Sequence, residues 1–307
     1  MSMTETRTDL RQADAFVSVE GILSEKKLEM TANADGSKVI RGSLVVKTND
    51  TNFVTLNVYV SEKTSKGEPN RAYEGMMTVL NEYKSIAEVG EEEATKLSCN
   101  RGNLQPNTYI DRTTFEEMTN VRYSASFVSR VNEAKYGYNP HATFEVEAFI
   151  ASIIEEVDKE GEPTGRLKMM TYVPTYKGVE PMTIVVPKEL ADDVNNVFET
   201  NQTARFYGEL KNNVIIHENV IKLAIGGSKI DSKKEITNEI VLTGATEPYE
   251  EEKAYSYETI QKGLVERELR LKKDKDDLQN AKKPAAPMGG GIGGMTGGPR
   301  PIPKFSM

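Results

Sequence analysis

The chain has 307 residues, 37% of them apolar and 28% charged, with a formal net charge of −8. That length suits two ordinary domains, and the acidic balance excludes a uniformly basic nucleic-acid coat. Cys99 is the only cysteine, so an intrachain disulfide is excluded and a reducing compartment is expected; His141 and His217 are the only histidines, which argues against a His/Cys metal centre and a Ser-His-Asp triad. No apolar run reaches the length of a membrane span. The polar start, Met1 to Arg11, has no signal-peptide core, so a cytoplasmic protein is expected, in the host cytoplasm if a phage encodes it.

Residues 1–14 read as a frayed polar start. A first strand runs from Phe16 to Leu23 and extends toward Met30, before a turn at Asn33 to Gly36. A hairpin follows over Lys38 to Val60. Its first strand alternates Ile40, Gly42, Leu44, Val46 against Arg41, Ser43, Val45, Lys47. After a turn at Asn49 to Thr51, the second strand alternates Val54, Leu56, Val58, Val60 against Phe53, Thr55, Asn57, Tyr59. Side chains alternate between the faces of a strand, so the aliphatic sets belong to the core. The other face sets aromatics on one strand beside cations on its neighbour, which is what a single-stranded nucleic-acid platform requires. A packing face under a helix, or against a second domain, has the same pattern, and the cations also suit ordinary solvated positions.

Ser61 to Asn70 is a Lys/Gly/Pro loop. Met76, Met77, Leu80, Tyr83, Ile86 and Ala87 predict one helix over Tyr73 to Val89. An acidic turn leads to extended stretches at Lys96 to Ile110 and Thr119 to Val131. Many short strands with Gly turns point to a sandwich or barrel.

The pattern then recurs in the same order. Phe144 to Glu147 echoes Val17 to Glu20, Ile184 to Val186 echoes Val58 to Val60, Gly208 to Leu210 echoes Gly102 to Leu104, and Glu235 to Asn238 echoes Glu117 to Asn120. The spacing of these matches predicts a second copy with a shorter helical region at Pro187 to Phe198 and a longer connection between its last two strands. The second copy has its own hairpin, Gly165 to Pro174 and Val179 to Val186. Arg166, Lys168, Met170 and Tyr172 share one strand face there, with Tyr176 in the turn. The expected divisions are 15–135, a linker at 136–141 carrying Tyr136 and Tyr138, 142–246, a charged and weakly amphipathic helical segment at 247–283, and a disordered Gly/Pro-rich tail at 284–307. Residues 247–307 hold ten acids and eleven bases, so the acidity lies in the body, and DNA binding there needs a local basic groove. The runs Glu91 to Glu93 and Glu250 to Glu252 read as solvated, and Cys99 as a small buried residue. Gly226-Gly227-Ser228-Lys229 lacks the spacing of a phosphate loop.

Three strands, a helix and two strands, with Gly21 near the end of the first strand, follow the order of an oligonucleotide-binding (OB) barrel. The Gly/Pro tail ending near Phe305 adds to the likeness. The chain resembles phage and bacterial single-stranded DNA-binding proteins, here with two OB-type barrels in tandem. The resemblance implies bases stacked on aromatics of the central strands, where Phe53 and Tyr59 match by strand position. It also implies a tail tip that recruits replication or recombination proteins. Pro303-Lys304-Phe305 departs from that pattern, having no acidic run before it, and the chain has no Trp.

The expected fold is therefore mainly β: two tandem five-stranded OB-like barrels, each with a helix between strands three and four, and a disordered tail. The expected function is single-stranded DNA binding in replication or recombination, without catalysis, cofactor, metal or membrane. The candidate contacts are Arg41, Lys47, Phe53, Asn57, Tyr59, Arg166, Lys168, Tyr172 and Tyr176. The alternative is a non-catalytic structural or assembly protein, of a phage particle or replisome, that uses such barrels to bind protein.

Overall fold

The computed structural model describes residues 10–33, 35–222 and 228–282, with 214–222 and 228–236 described by their strand pairing alone. The expected disordered tail at 284–307, with its recruiting tip, and Gly226 and Gly227 of the Gly-Gly-Ser-Lys stretch lie outside the described residues.

Alternating aliphatic residues build the first strands as the sequence predicts. Strands β1 (Ala15–Ala32), β2 (Lys38–Lys47) and β3 (Phe53–Ser61) form consecutive antiparallel pairs. Ile40, Leu44, Val46, Val54, Leu56, Val58 and Val60 are all buried. β1 runs past Leu23 and Met30, along the extension expected from the sequence, because it serves two partners. Phe16 to Ile22 pairs with β4 (Lys96–Ile110), and Ile22 to Ala32 pairs with β2. A register shift between Leu23 and Glu25 marks the handover, as a bulge does where a strand must bend.

Between β3 and β4 the predicted single helix is two. α1 (Arg71–Glu82) buries Tyr73, Met76 and Val79, and α2 spans Ile86–Val89. Tyr83 takes an extended backbone that ends α1, and its carbonyl accepts the Lys26 ammonium at 2.7 Å. Ser85 then starts α2 through a capping box with Glu88, which overrides the apolar spacing that runs through both pieces. β5 (Glu117–Ser124) pairs with β4, and the expected stretch to Val131 divides into β5 and the short β6 (Ser129–Arg130). Leu56 and Asn57 of β3 pair in parallel with Tyr123 and Ser124 of β5. The pairing order β1-β2-β3-β5-β4 therefore returns to β1. Cys99 is buried, and burial pushes its thiol up to about 11.

The expected linker is partly structured. α3 (Glu133–Tyr136) is one short helix, Tyr136 is exposed, Lys96 sits over the Tyr138 ring, and β7 (His141–Val157) starts at once. β8 (Pro163–Thr175), β9 (Gly178–Val186), α4 (Lys188–Val197), β10 (Thr203–Lys222) and β11 (Ser228–Ala245) follow. β7 pairs with β8, β8 with β9, β9 with β11 in parallel at Val185 and Val241, β11 with β10, and β10 with β7. This is the same cyclic order as in the first half. β1 and β7 pair antiparallel from Ala15↔Val146 to Glu20↔His141, which joins everything into one 11-stranded sheet.

Two glycines allow each cycle to close. Gly102 of β4 lies opposite Val17, and a Cβ there would stand 2.8 Å from both the Val17 side chain and the Ser124 carbonyl oxygen. Gly208 of β10 lies opposite Phe144, and a Cβ there would collide with the Val241 carbonyl oxygen and the Phe144 ring.

The segment at 247–283 is not a free helix. α5 (Tyr257–Lys282) buries Ile260 and Leu271. Arg270 reaches the buried Glu180 of β9 at 2.5 Å, and Arg267 reaches Glu180, Glu117 and the Thr108 hydroxyl. Glu180 also accepts the Thr108 amide at 3.1 Å, so one carboxylate ties both halves to the helix.

A second buried carboxylate anchors the start of the chain. Glu147 of β7 receives Arg11 at 2.7 Å, the Asp14 amide at 3.1 Å, Arg205 at 3.0 Å and the Tyr249 hydroxyl at 3.0 Å. Burial alone would raise its carboxyl, but these donors outweigh it and hold it at about 2. A carboxyl depressed on folding stabilises the fold above its unfolded value, near 4.5, and loses that contribution as pH falls toward 2.

Two measurements follow from this packing. Gly208→Ala should lower the unfolding free energy by about 3 kcal/mol. Gly244→Ala, where nothing lies within 4 Å, should stay within about 0.5 kcal/mol. Equal effects in chemical denaturation would show that the β10 closure is not tight. In a pH series of the same experiment, Glu147→Gln should cost about 3 kcal/mol at neutral pH. Its stability should then fall less than that of wild type between pH 4.5 and 2; parallel profiles would remove Glu147 as the acid-sensitive anchor.

Candidate functional site

Residues directly opposite in an antiparallel ladder share a face. The β2–β3 register places Arg41 opposite Tyr59, Ser43 opposite Asn57, Val45 opposite Thr55, and Lys47 opposite Phe53. The outer face therefore does carry the expected cations and rings side by side. Tyr59 is 64% exposed, with its hydroxyl 3.2 Å from Asn33 Oδ1, while Phe53 is half-buried. Asn57 donates its side-chain amide to the Tyr123 carbonyl at 3.0 Å and so helps hold β5 against β3.

All four expected phosphate contacts already have carboxylate partners. Arg41 pairs with Glu29 at 2.8 Å, and Lys47 with Glu91 at 2.8 Å and Asp50 at 3.3 Å. The hydrogen bonds that Lys47 donates to the Glu91 carboxylate hold its ammonium above the usual lysine value. Arg166 pairs with Glu156 at 3.0 Å and Glu239 at 2.9 Å, and Lys168 pairs with the same Glu156 at 3.3 Å. The exposed Arg41–Glu29 pair contributes about 0–1 kcal/mol, so a phosphate can replace that carboxylate at small cost, while Lys47 and Arg166 are more buried. Glu156 is itself mostly buried and holds two cations at once.

A groove crosses the molecule beside this face. Its first part, about 620 Å³, runs over Phe53, Thr55 and Asn57 of β3 and Asn120 to Tyr123 of β5. Its second part, about 580 Å³, runs over Lys168 of β8, Met182 and Thr183 of β9, and Glu156 and Glu239. Asn120, Val121, Tyr123, Asn212 and Asn238 line both parts, so the two adjoin there. The meeting point is built of amides. Asn120 lies opposite Asn107 in the β4–β5 ladder, and Asn238 opposite Asn212 in the β10–β11 ladder. The Asn212 backbone amide donates to Asn52 Oδ1 at 2.7 Å, and Asn52 donates to the Leu210 carbonyl at 3.0 Å. The turn before β3 thereby fixes the base of the β10–β11 hairpin.

Arg122 is the cation that sequence reasoning missed. It lies in the groove, exposed, and forms no ion pair among the described residues. The alternation of Val121 and Tyr123 inward against Arg122 outward was the available signal. Tyr172 packs against the core opposite Pro181, and Tyr176 is 68% exposed in the β8–β9 turn. Neither lines the groove; Tyr176 lines a separate cavity with Phe16, Asn103 and Gln105. Among the described residues no cluster of His, Cys, Asp and Glu is arranged to hold a metal ion, and no helix is long and apolar enough to cross a membrane.

Residues 15–277 match the model of a protein family described only as YorF. No curated protein matches the chain. Among solved structures, wild-type single-stranded DNA binding protein from Thermus aquaticus is similar at 11% identity and a TM-score of 0.45, covering 78% of this chain and 95% of that one. A deletion mutant of the same protein gives 11% identity, a TM-score of 0.44, and coverage of 78% and 97%. A replication protein A heterotrimer bound to single-stranded DNA gives 10% identity and a TM-score of 0.20, with coverage of 86% and 71%. Likenesses this distant assign neither a residue role nor a function to this chain.

Proposed function

The chain belongs to the YorF family, and from the groove its fold builds we propose that it binds single-stranded DNA without catalysis. Each closed cycle of strand pairing is read as an OB-type barrel, over 15–135 and 142–246, with both barrels presenting one surface to one strand. The observation that carries this reading is that two grooves, one from each half, adjoin at shared residues, with an aromatic ring, a row of amides and a guanidinium that forms no ion pair among the described residues. Phe53 supplies a stacking face to any base, Arg122 meets a phosphate, and the asparagines donate and accept at base edges or sugars. Tyr59, Arg41 and Lys47 extend the path along the same outer face. Arg166 and Lys168 join it where phosphate displaces Glu156. A role in replication or recombination, with partners recruited by the segment after residue 283, follows from that activity.

The pairing of all four expected cations, on a chain of net charge −8, favours the second reading, in which the same surface binds protein in an assembly.

Fluorescence anisotropy with an oligo-dT strand across a salt series separates the two. Phe53→Ala with Tyr59→Ala should weaken binding tenfold or more with the fold retained, since a base–ring stack is worth about 1–3 kcal/mol. Arg122→Ala should reduce the slope of log K against log salt by about 0.7, one fewer counterion being released. If the wild-type protein binds no single strand at low salt, the DNA reading fails and the assembly reading takes its place.

A further inference from the structure

A second cavity, of about 430 Å³, lies where the two halves meet on the far side of β4. Phe16 of β1, Asn103 and Gln105 of β4, and Tyr176 of the β8–β9 turn line it. We propose that this cavity receives one unpaired nucleobase of a bound strand, a reading that rests on the groove being a single-strand site.

The chemistry of the walls points to a base. Tyr176 presents a large ring, 68% exposed, on a turn held in place from several sides. Thr175 donates to the Gly178 carbonyl at 3.0 Å, the Lys177 ammonium donates to Asn107 Oδ1 at 3.2 Å, and Arg270 donates to the Lys177 carbonyl at 3.0 Å. A ring carried on a turn fixed in advance needs no backbone ordering when a ligand stacks on it. On the opposite side, the Phe16 ring carries the Arg101 guanidinium 3.8 Å from its centroid, a flat cationic stack of the kind that bases extend. Arg101 forms no ion pair among the described residues, so it is available to the phosphate beside such a base.

The amides supply the edge contacts. Side chains of alternate residues share a strand face, so Arg101, Asn103, Gln105 and Asn107 run in line along β4. Asn103 and Gln105 each offer a donor and an acceptor, the pattern that the pairing edge of a base presents. A base held in a duplex has that edge occupied and stays stacked, so only an unpaired base enters.

The cavity is joined to the groove by one cross-strand pair. Gln105 lies directly opposite Arg122 in the β4–β5 ladder. Arg122 lines the groove and Gln105 lines the cavity, so a strand whose phosphate meets Arg122 has its next bases at Gln105. The ring comes from the second half and the amides from the first, so a base seated between them bridges the halves.

The test is a length series of oligo-dT strands titrated into wild-type protein, Tyr176→Ala and Arg122→Ala. Tyr176 is exposed, so its replacement leaves the fold intact, as circular dichroism will verify. The expected result is that short strands bind wild type and Tyr176→Ala equally. Strands long enough to pass from groove to cavity should bind wild type about tenfold more tightly, the worth of one stacked base. A 2-aminopurine at the position that reaches the cavity should be quenched by wild type and not by Tyr176→Ala. The proposal is overturned if Tyr176→Ala binds long strands as well as wild type does, or if it weakens short and long strands alike. If Arg122→Ala weakens binding while Tyr176→Ala does not, the groove stands and the cavity alone fails. If wild type binds no strand of any length, both readings fall.

Discussion

Val17 and Phe144 face each other across the ladder that joins β1 to β7, and the arrangement of both halves depends on that contact. Each of these residues also lies opposite a glycine of its own half, Gly102 or Gly208. Without a Cβ at either glycine, β4 and β10 come close enough for each cycle of pairing to close. Val17 and Phe144 are also the residues that the internal match equates. The two positions that the sequence match equates thus pair with each other in antiparallel sense. Asn120 and Asn238, also equated by that match, line the point at which the two parts of the groove meet.

The two parts of the groove differ in composition. The first has Phe53 and Arg122, which forms no ion pair among the described residues. The second has Glu156 and Glu239, which already hold Arg166 and Lys168. For the anionic strand proposed above, the first part offers the cation without a carboxylate partner among the described residues, and the second requires phosphate to displace carboxylate, which would link its use to salt concentration.

The β2–β3 hairpin was legible in the sequence because strict alternation over many residues has one physical reading, and Val54, Leu56, Val58 and Val60 are buried as that reading requires. The helix break was legible only in part: apolar spacing runs through Tyr83 and Ser85, while the capping signal at Ser85 and Glu88 is two residues. The partners of the cations were not legible, because Lys47 meets Glu91 and Arg166 meets Glu239 only after the chain has folded. The asparagines were visible and passed over. Asn is disfavoured in strands, so Asn107, Asn120, Asn212 and Asn238 opposite one another are a signal that packing alone does not explain. α5 read as weak because its hydrophobic face is narrow; it docks through Ile260, Leu271 and the arginines that reach Glu180.

The central claim is that one continuous surface across both halves receives one strand. Backbone amide chemical shifts followed during titration with oligo-dT test it most directly. The account predicts a connected set of shifted amides from Asn57 through Asn120 and Asn238 to Thr183, spanning β3, β5, β11 and β9. Shifts confined to one half, or clustered on α1 and α4 away from the groove, would contradict it.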